Sequence, residues 1–438
     1  LETKLNYINT KNQYFLNTLI FFFPISFLIG RLFVELSLFL FTLVAILSFK
    51  KWSKFLLNKS PIIILLFLFY LTVLVSTINN QEILSKVTDQ NLILKSFLNF
   101  RFILYIISVW FVLNETKINK NFIKPLIFVY IFFLFDGYVQ FFSGENLLGY
   151  TNSAGRITGI FKDEYIFGSY IQKVLPIILI LIFFSFEMNT LKQKSYLFII
   201  LLLSTIIILL SGDRAANLLF LFFLILCTIY MSELRKILLI NFFISGVVFF
   251  CIISLGIGKN VQSLDQRYNP KSEFNAHSLK KENSSPLLKY IPKDHLGHYL
   301  VVKEMAKDNL YLGKGIKSFR LMCRGKLGNF YPVEGGVCST HPHNYYLQSV
   351  SASGMIGLFF LLSIFIFISF KMLLYFIDLF KKKSQHSLVI LSTICVFVYF
   401  WPLIPTGNFF SNWISGFNCF VLGLFLFINS KFKIGKNE

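Results

Sequence analysis

Long apolar stretches recur along the chain with short polar breaks between them, at residues 14–30, 32–49, 61–78, 100–114, 122–143, 166–186, 195–211, 215–231, 237–258, 345–372, 387–405 and 412–430. Crossing the hydrocarbon core of a bilayer takes about 20 apolar residues in a helix, so the pattern predicts twelve membrane spans. Two pairs are separated only by Arg31 or by Ser211-Gly212-Asp213-Arg214, which predicts tight helical hairpins. The first run is a long apolar stretch without a small-residue cleavage pattern. It leads straight into the second, so it reads as a span rather than a cleavable signal peptide. One long polar stretch interrupts the series. The chain therefore divides into residues 1–258 with nine spans, a polar segment 259–342, and residues 343–438 with three spans and a tail.

Composition supports this reading. A chain of 438 residues that is 55% hydrophobic and 14% charged, with a mean hydropathy of +0.66, is not a set of soluble domains. The fold class expected is an all-α polytopic membrane protein of about 12 transmembrane helices. The formal net charge of +21 would raise the question of nucleic acid in a soluble protein. Here the basic residues form short runs between apolar segments and act as topology determinants, so no nucleic-acid partner is expected. With the N-terminus inside, the inside loops collect Lys50, Lys51, Lys54 and Lys59; Lys117, Lys120 and Lys124; Lys192 and Lys194; Arg235 and Lys236; Lys381, Lys382 and Lys383; and Lys431, Lys433 and Lys436. The short opposite loops hold far fewer: Arg31, Lys86, Lys95, Arg156, Lys162 and Arg214. The positive-inside rule then predicts cytoplasmic termini and an external segment 259–342.

Of six cysteines, Cys227, Cys251, Cys395 and Cys419 fall in apolar runs, where a thiol acts as a small hydrophobe. Cys323 and Cys338 lie in the polar segment without the CxxC pairing that a zinc site favours. They are expected to form a disulfide, which fits a bacterial periplasm on that side. The same segment predicts an amphipathic helix near His298 to Leu310 and carries Gly313-Lys314-Gly315. Its glycine spacing matches neither a phosphate-binding loop nor a dinucleotide fingerprint. Asn269-Pro270 and Asn283-Ser284-Ser285-Pro286 read as loop. A stretch this long is expected to be a lid or binding surface rather than a passive connector.

Charges at a membrane edge are costly and ask for a reason. Asp213 and Arg214 either mark a hairpin turn or place a guanidinium where it can grip a phosphate with paired donors. Arg156 is either a solvated loop charge or a substrate contact. Asp136 and Gln140, one turn apart, are placed on a face with Arg101 as structural pairs. The densest polar run is Cys338-Ser339-Thr340-His341-Pro342-His343-Asn344-Tyr345-Tyr346-Leu347-Gln348. Histidine can take a proton from a hydroxyl near neutral pH, and Asn344 could orient the ring or bind sugar. The alternatives are a polar cap on a helix and a zinc site, the latter lacking a well-placed third ligand. In the run Pro402 to Trp413, Trp413 reads as part of an interfacial aromatic belt. These signals concentrate at the outer face, which suits an enzyme better than a transporter or flippase, whose ionisable groups belong near the midplane.

Together, the His341 to Gln348 run followed by Gly354-Met355-Ile356-Gly357-Leu358, the Ser211 to Arg214 turn, the Gly155 to Phe161 run and Pro405-Thr406-Gly407-Asn408-Phe409-Phe410 resemble the O-antigen ligase and polymerase superfamily. The resemblance implies a GT-C-like inner-membrane glycosyltransferase that is inverting and metal-independent and uses no cofactor. Its donor would be an undecaprenyl-diphosphate-linked glycan on the periplasmic face. The acceptor would be lipid A-core in a ligase and another lipid-linked glycan in a polymerase; the ligase reading leads. Carried over, His343 matches the histidine that activates or orients the acceptor hydroxyl, and Arg214 the arginine that binds the donor diphosphate. Family ligases carry a second arginine where this chain has Gly297-His298-Tyr299, so His298 or Arg320 is expected to supply that contact. Arg156, His341 and Asn344 complete the expected substrate-binding set.

Overall fold

A computed structural model describes residues 10–56, 60–116, 120–151, 156–186, 190–268, 293–323, 337–381 and 386–434. Its α-helices are α1 Thr10–Ile29, α2 Arg31–Leu47, α3 Phe49–Leu56, α4 Pro61–Asn79, α5 Gln81–Val87, α6 Leu92–Leu98, α7 Arg101–Glu115, α8 Ile123–Ser143, α9 Phe167–Ser185, α10 Leu191–Leu210, α11 Arg214–Tyr230, α12 Ser232–Ser254, α13 Val261–Tyr268, α14 Lys293–Asp308, α15 Ser318–Cys323, α16 Tyr345–Phe380, α17 Ser387–Tyr399 and α18 Asn412–Ile434. Among the described residues, β pairing is limited to one isolated bridge between Glu145 and Thr151. Asn269-Pro270, the Asn283 to Pro286 run, Gly155, Lys59, Lys117, Lys382, Lys383 and Lys436 lie outside the described residues.

Each of the twelve apolar runs forms a helix. Eight helical stretches are long and apolar enough to cross a membrane: α4, Leu92–Glu115, α8, α9, α10, α12, α16 and Asn412–Phe432. Gln13–Ile29, α11 and α17 are apolar but shorter. Local chemistry explains the boundaries. Gly30, at φ 140°, separates α1 from α2, and Pro61 opens α4 where its missing N–H costs nothing. Thr190 and Gln193 form a reciprocal capping box at α10. The run at 387–405 stops as a helix at Tyr399, three residues before Pro402, and the residues up to Asn412 form a connection.

α9 and α18 are the most enclosed, with α9 buried almost continuously from Phe167 to Ile182. Around them α18 packs on α7 and α17, α4 on α16, and α10 on α12. α12 and α16 turn large apolar side chains outward, Phe243, Phe250, Phe359 and Phe370 among them. That is the surface a hydrocarbon solvent accepts and water does not.

The break within α16 positions the site. Gly354 has φ 63° and ψ −160°, outside the helical region. The backbone groups around the break bond to the connection after α14. Lys314 N–H donates to Ser351 O at 2.9 Å, Gly315 N–H to Ala352 O at 2.9 Å, and Met355 N–H to the Leu310 carbonyl at 2.9 Å. On the other side Asn80 donates to Gly313 O, and Ile316 N–H to Thr77 Oγ1 at 3.0 Å. The Gly313-Lys314-Gly315 stretch is therefore a close-packing wedge between α4 and α16. A Cβ at Gly313 would lie 2.6 Å from the Gly354 nitrogen. Its lysine, buried, pairs with Asp308 at 3.4 Å.

Candidate functional site

A cavity of about 1090 Å³ opens where the starts of α9, α11, α16 and α18 meet α15 and the connection 405–411. The 337–344 stretch enters it. Pro342 biases His341 toward extended backbone, and His343 takes φ 52°, a left-handed conformation that few non-glycine residues adopt. The turn is held because Thr406 N–H donates to His343 O at 2.8 Å. Asn344 then caps α16: its Oδ1 accepts from Tyr346 N–H and Leu347 N–H, and its Nδ2 donates to Pro402 O at 2.7 Å. Both ends of that amide are thus engaged in the scaffold. Gln348 fixes the facing wall, donating to Asn408 Oδ1 at 2.7 Å and accepting from Phe409 N–H at 2.8 Å.

His343 and His341 both line the cavity, their rings 4.1 Å apart. Two more imidazoles come from α14, where His295 and His298 stand one turn apart and share a face. The His343 ring is 5.2 Å from each. His298 is 4% exposed, and its Nδ1 contacts Val337 O at 2.7 Å, which secures the stretch leading to His343. His295 lines the cavity. No group of three or more His, Cys, Asp or Glu among the described residues is arranged to hold a metal ion. Burial pushes the His343 imidazole down to about 3, helped by His341, His295 and His298. Burial likewise brings His341 down to about 4. Both rings are neutral at neutral pH and open to a proton.

This depression sets a stability trend. Between about pH 6.5, the unfolded value, and about pH 4, the unfolded chain binds protons at these two positions that the folded chain refuses, so stability falls as pH falls through that window. Scanning fluorimetry should show Tm dropping from pH 6.5 to 4, with a shallower slope in His343→Gln. An unchanged slope would mean that these rings are not held neutral.

Cys323 and Cys338 are bonded, with their Cα atoms 5.6 Å apart across a separation of 15 residues. The bond ties the end of α15 to the stretch that carries the two histidines. A loop of this length is worth about 3 kcal/mol in the chain-entropy model. Cys338→Ser is therefore expected to lower Tm by several degrees in oxidised protein and to leave reduced protein unchanged.

Cations outnumber carboxylates on the cavity wall. Arg31, Lys95, Arg101, Arg156, Lys173, Lys317 and Arg320 line it, against Glu35, Glu164 and Asp213. Lys95 and Lys317 share one neutral acceptor, Gln90 Oε1, at 2.5 and 3.4 Å. Burial and the nearby charges of Lys95, Arg320 and Arg31 lower the Lys317 ammonium to about 8. Crowding of this kind is relieved by an anionic ligand. Arg156 stacks 4.9 Å over the Tyr165 ring. Arg214 is exposed at the first position of α11 and is not among the lining residues, although Asp213, Ala215 and Ala216 are. Asp213 caps α11 through Ala216 N–H and accepts from Ser169 Oγ at 2.9 Å.

Several placements differ from the sequence expectation. Arg101 does not meet Asp136 and Gln140. It donates to Asn412 at 2.5 Å, which in turn donates to Glu35. Asp136 instead accepts from Leu147 and Asn146, and Gln140 accepts from Thr158 N–H and Gly159 N–H. Trp413 is not in a lipid-facing belt; it packs edge-on against Phe27 and Phe417 in the cavity wall, with Nε1 buried and unpartnered. Sequence reasoning missed His295, because it began the helix at His298 and so lost the i, i+3 pair. It also missed Gln172 and Lys173, although a lysine inside the apolar run 166–186 was a visible signal.

Residues 199–362 match the family model described as O-antigen ligase. The stretch takes in the 211–214 turn, the polar segment, the disulfide and the histidine run. No curated protein matches the chain.

Proposed function

We infer, from a chain whose O-antigen ligase match at residues 199–362 supports membership of the O-antigen ligase-like superfamily, that this membrane protein moves a glycan from an undecaprenyl-diphosphate donor to a lipid A-core acceptor. The observation that carries the reading is the joining, in one cavity, of neutral imidazoles with an excess of cations. Those are the two parts that glycosyl transfer from a diphosphate needs.

In the proposed step the acceptor hydroxyl oxygen attacks the anomeric carbon from the face opposite the diphosphate. The bond from that carbon to the diphosphate oxygen breaks, and the electron pair leaves with the diphosphate. The hydroxyl proton passes to His343. With its charge met by cations, a diphosphate leaves without a covalent intermediate, and the same cations serve where a metal would. A base at about 3 is weak for this task. A bound diphosphate close by raises it, because an anion favours the protonated ring, so the donor itself tunes His343.

Arg156, Lys317 and Arg320 supply cations at the wall, with Arg320 or His298 in the place of the second arginine. Arg214 reaches the donor only by swinging inward from the start of α11, which its long side chain permits between lining neighbours. Segment 259–342 lies on the periplasmic face of a bacterial inner membrane in this reading, with twelve spans and both termini cytoplasmic.

The test offers purified protein a labelled undecaprenyl-diphosphate glycan together with either lipid A-core or a second lipid-linked glycan. Label on lipid A-core establishes a ligase. Longer lipid-linked chains make the protein a polymerase of the same superfamily. Neither product from folded protein, across several donor glycans, turns the reading to a transporter or flippase.

A further inference from the structure

α9 carries a polar face that the reaction described above does not use. Ser169, Gln172 and Lys173 stand at i, i+3 and i+4 on a helix otherwise apolar, and all three line the cavity. Six residues below the start of α9, at 1.5 Å per residue, Lys173 sits about 9 Å into the bundle. It is 6% exposed. Its Nζ stands 4.5 Å from the Tyr399 ring centroid, and its backbone carbonyl accepts a hydrogen bond from the Tyr399 hydroxyl. None of the ion pairs among the described residues includes it.

A ring face is a weak substitute for the hydration that a buried ammonium gives up. Intramembrane lysines left without a carboxylate ordinarily serve a ligand. A second observation points the same way. Gln172 is 2% exposed, and its Nε2, a donor, has no hydrogen-bond partner. Trp413 Nε1 and Arg101 Nε, also on the cavity wall, are buried and unpartnered as well. Unsatisfied buried donors are rare and call for an acceptor. Each of these groups donates, so what is missing is an acceptor, and the neighbouring Lys173 ammonium favours an anionic one.

We propose that Lys173 and Gln172 form a phosphate-holding floor to the cavity, which takes the phosphate-bearing head of an isoprenoid lipid. The choice of an isoprenoid lipid rests on the glycan-transfer reading; the anionic character of the ligand does not. Ser169, tied to Asp213, anchors this face of α9 to the turn before α11. Lys173 and Gln172 are carried by α9, whereas Lys95 comes from α6, Arg320 from α15 and Lys317 from the residue before it.

The test measures farnesyl diphosphate binding to the full-length protein in nanodiscs, by thermophoresis, with inorganic pyrophosphate as a lipid-free arm and phosphatidylglycerol as a competitor. Lys173→Met is expected to weaken farnesyl diphosphate binding tenfold or more while Tm stays the same or rises, since a buried charge is removed. Lys173→Arg is expected to bind within threefold of wild type, and Gln172→Leu to lose severalfold. Wild-type protein that fails to bind, or equal affinity in wild type and Lys173→Met, overturns the floor. Displacement by phosphatidylglycerol overturns the isoprenoid assignment in favour of a bilayer headgroup. Binding that depends on Lys173 in a protein without transfer activity would leave the floor standing and remove the glycosyltransferase reading. Transfer that ignores Lys173→Met would do the reverse.

Discussion

His343→Ala is expected to cut glycan transfer by about 10²- to 10⁴-fold, the range a positioned base supplies, while the protein still folds and inserts. His343 lines the cavity as a neutral ring, with no carboxylate partner among the described residues and three other imidazoles around it. Its backbone is left-handed at φ 52°, a conformation that histidine and asparagine adopt more readily than alanine, so alanine also costs some stability. His343→Asn separates the two effects, since asparagine tolerates that conformation without supplying the base. Transfer lost equally in both variants, with Tm preserved in the asparagine one, assigns the loss to the imidazole. Near-normal transfer by His343→Asn would show that the proton goes elsewhere.

Gly354→Ala should cause the largest structural loss. Its φ and ψ of 63° and −160° belong to a region open essentially to glycine alone. An added Cβ would also lie 2.3 Å from the Tyr311 carbonyl oxygen and 2.7 Å from the Gly313 nitrogen. Both are backbone atoms, so no side chain can swing away. The break in α16 cannot persist, and the hydrogen bonds from Lys314, Gly315 and Met355 are lost with it. Destabilisation of roughly 3 kcal/mol or more is expected. Thermal unfolding and yield of inserted protein measure it. A Tm within two degrees of wild type would show that the wedge between α4 and α16 is dispensable.

The helices were legible because a membrane leaves little choice: apolar runs of sufficient length must satisfy their own backbone. All twelve runs became helices, with ends set by Gly30, Pro61, Thr190 and Asp213. The break at Gly354 was hidden, because the glycine falls inside a stretch that reads as one span and its cause is the distant Gly313 stretch. The same holds for the site. His341 and His343 announced themselves as a polar cluster beside a span. His295 depended on a helix start misjudged by a few residues, and Trp413 on a fold that turns it inward. Arg101 and Asp136 were matched by their position at helix ends, but pairing depends on which helices are neighbours, and that is a tertiary fact.

The central claim is that a lipid-linked glycan occupies this cavity beside His343. The most direct measurement photo-crosslinks a donor carrying a diazirine on its first sugar to the purified protein and maps the labelled peptides. The account predicts label on residues 337–351 and 405–413, competed away by unlabelled donor. Label confined to the outward faces of α12 and α16, or unaffected by competitor, would contradict it.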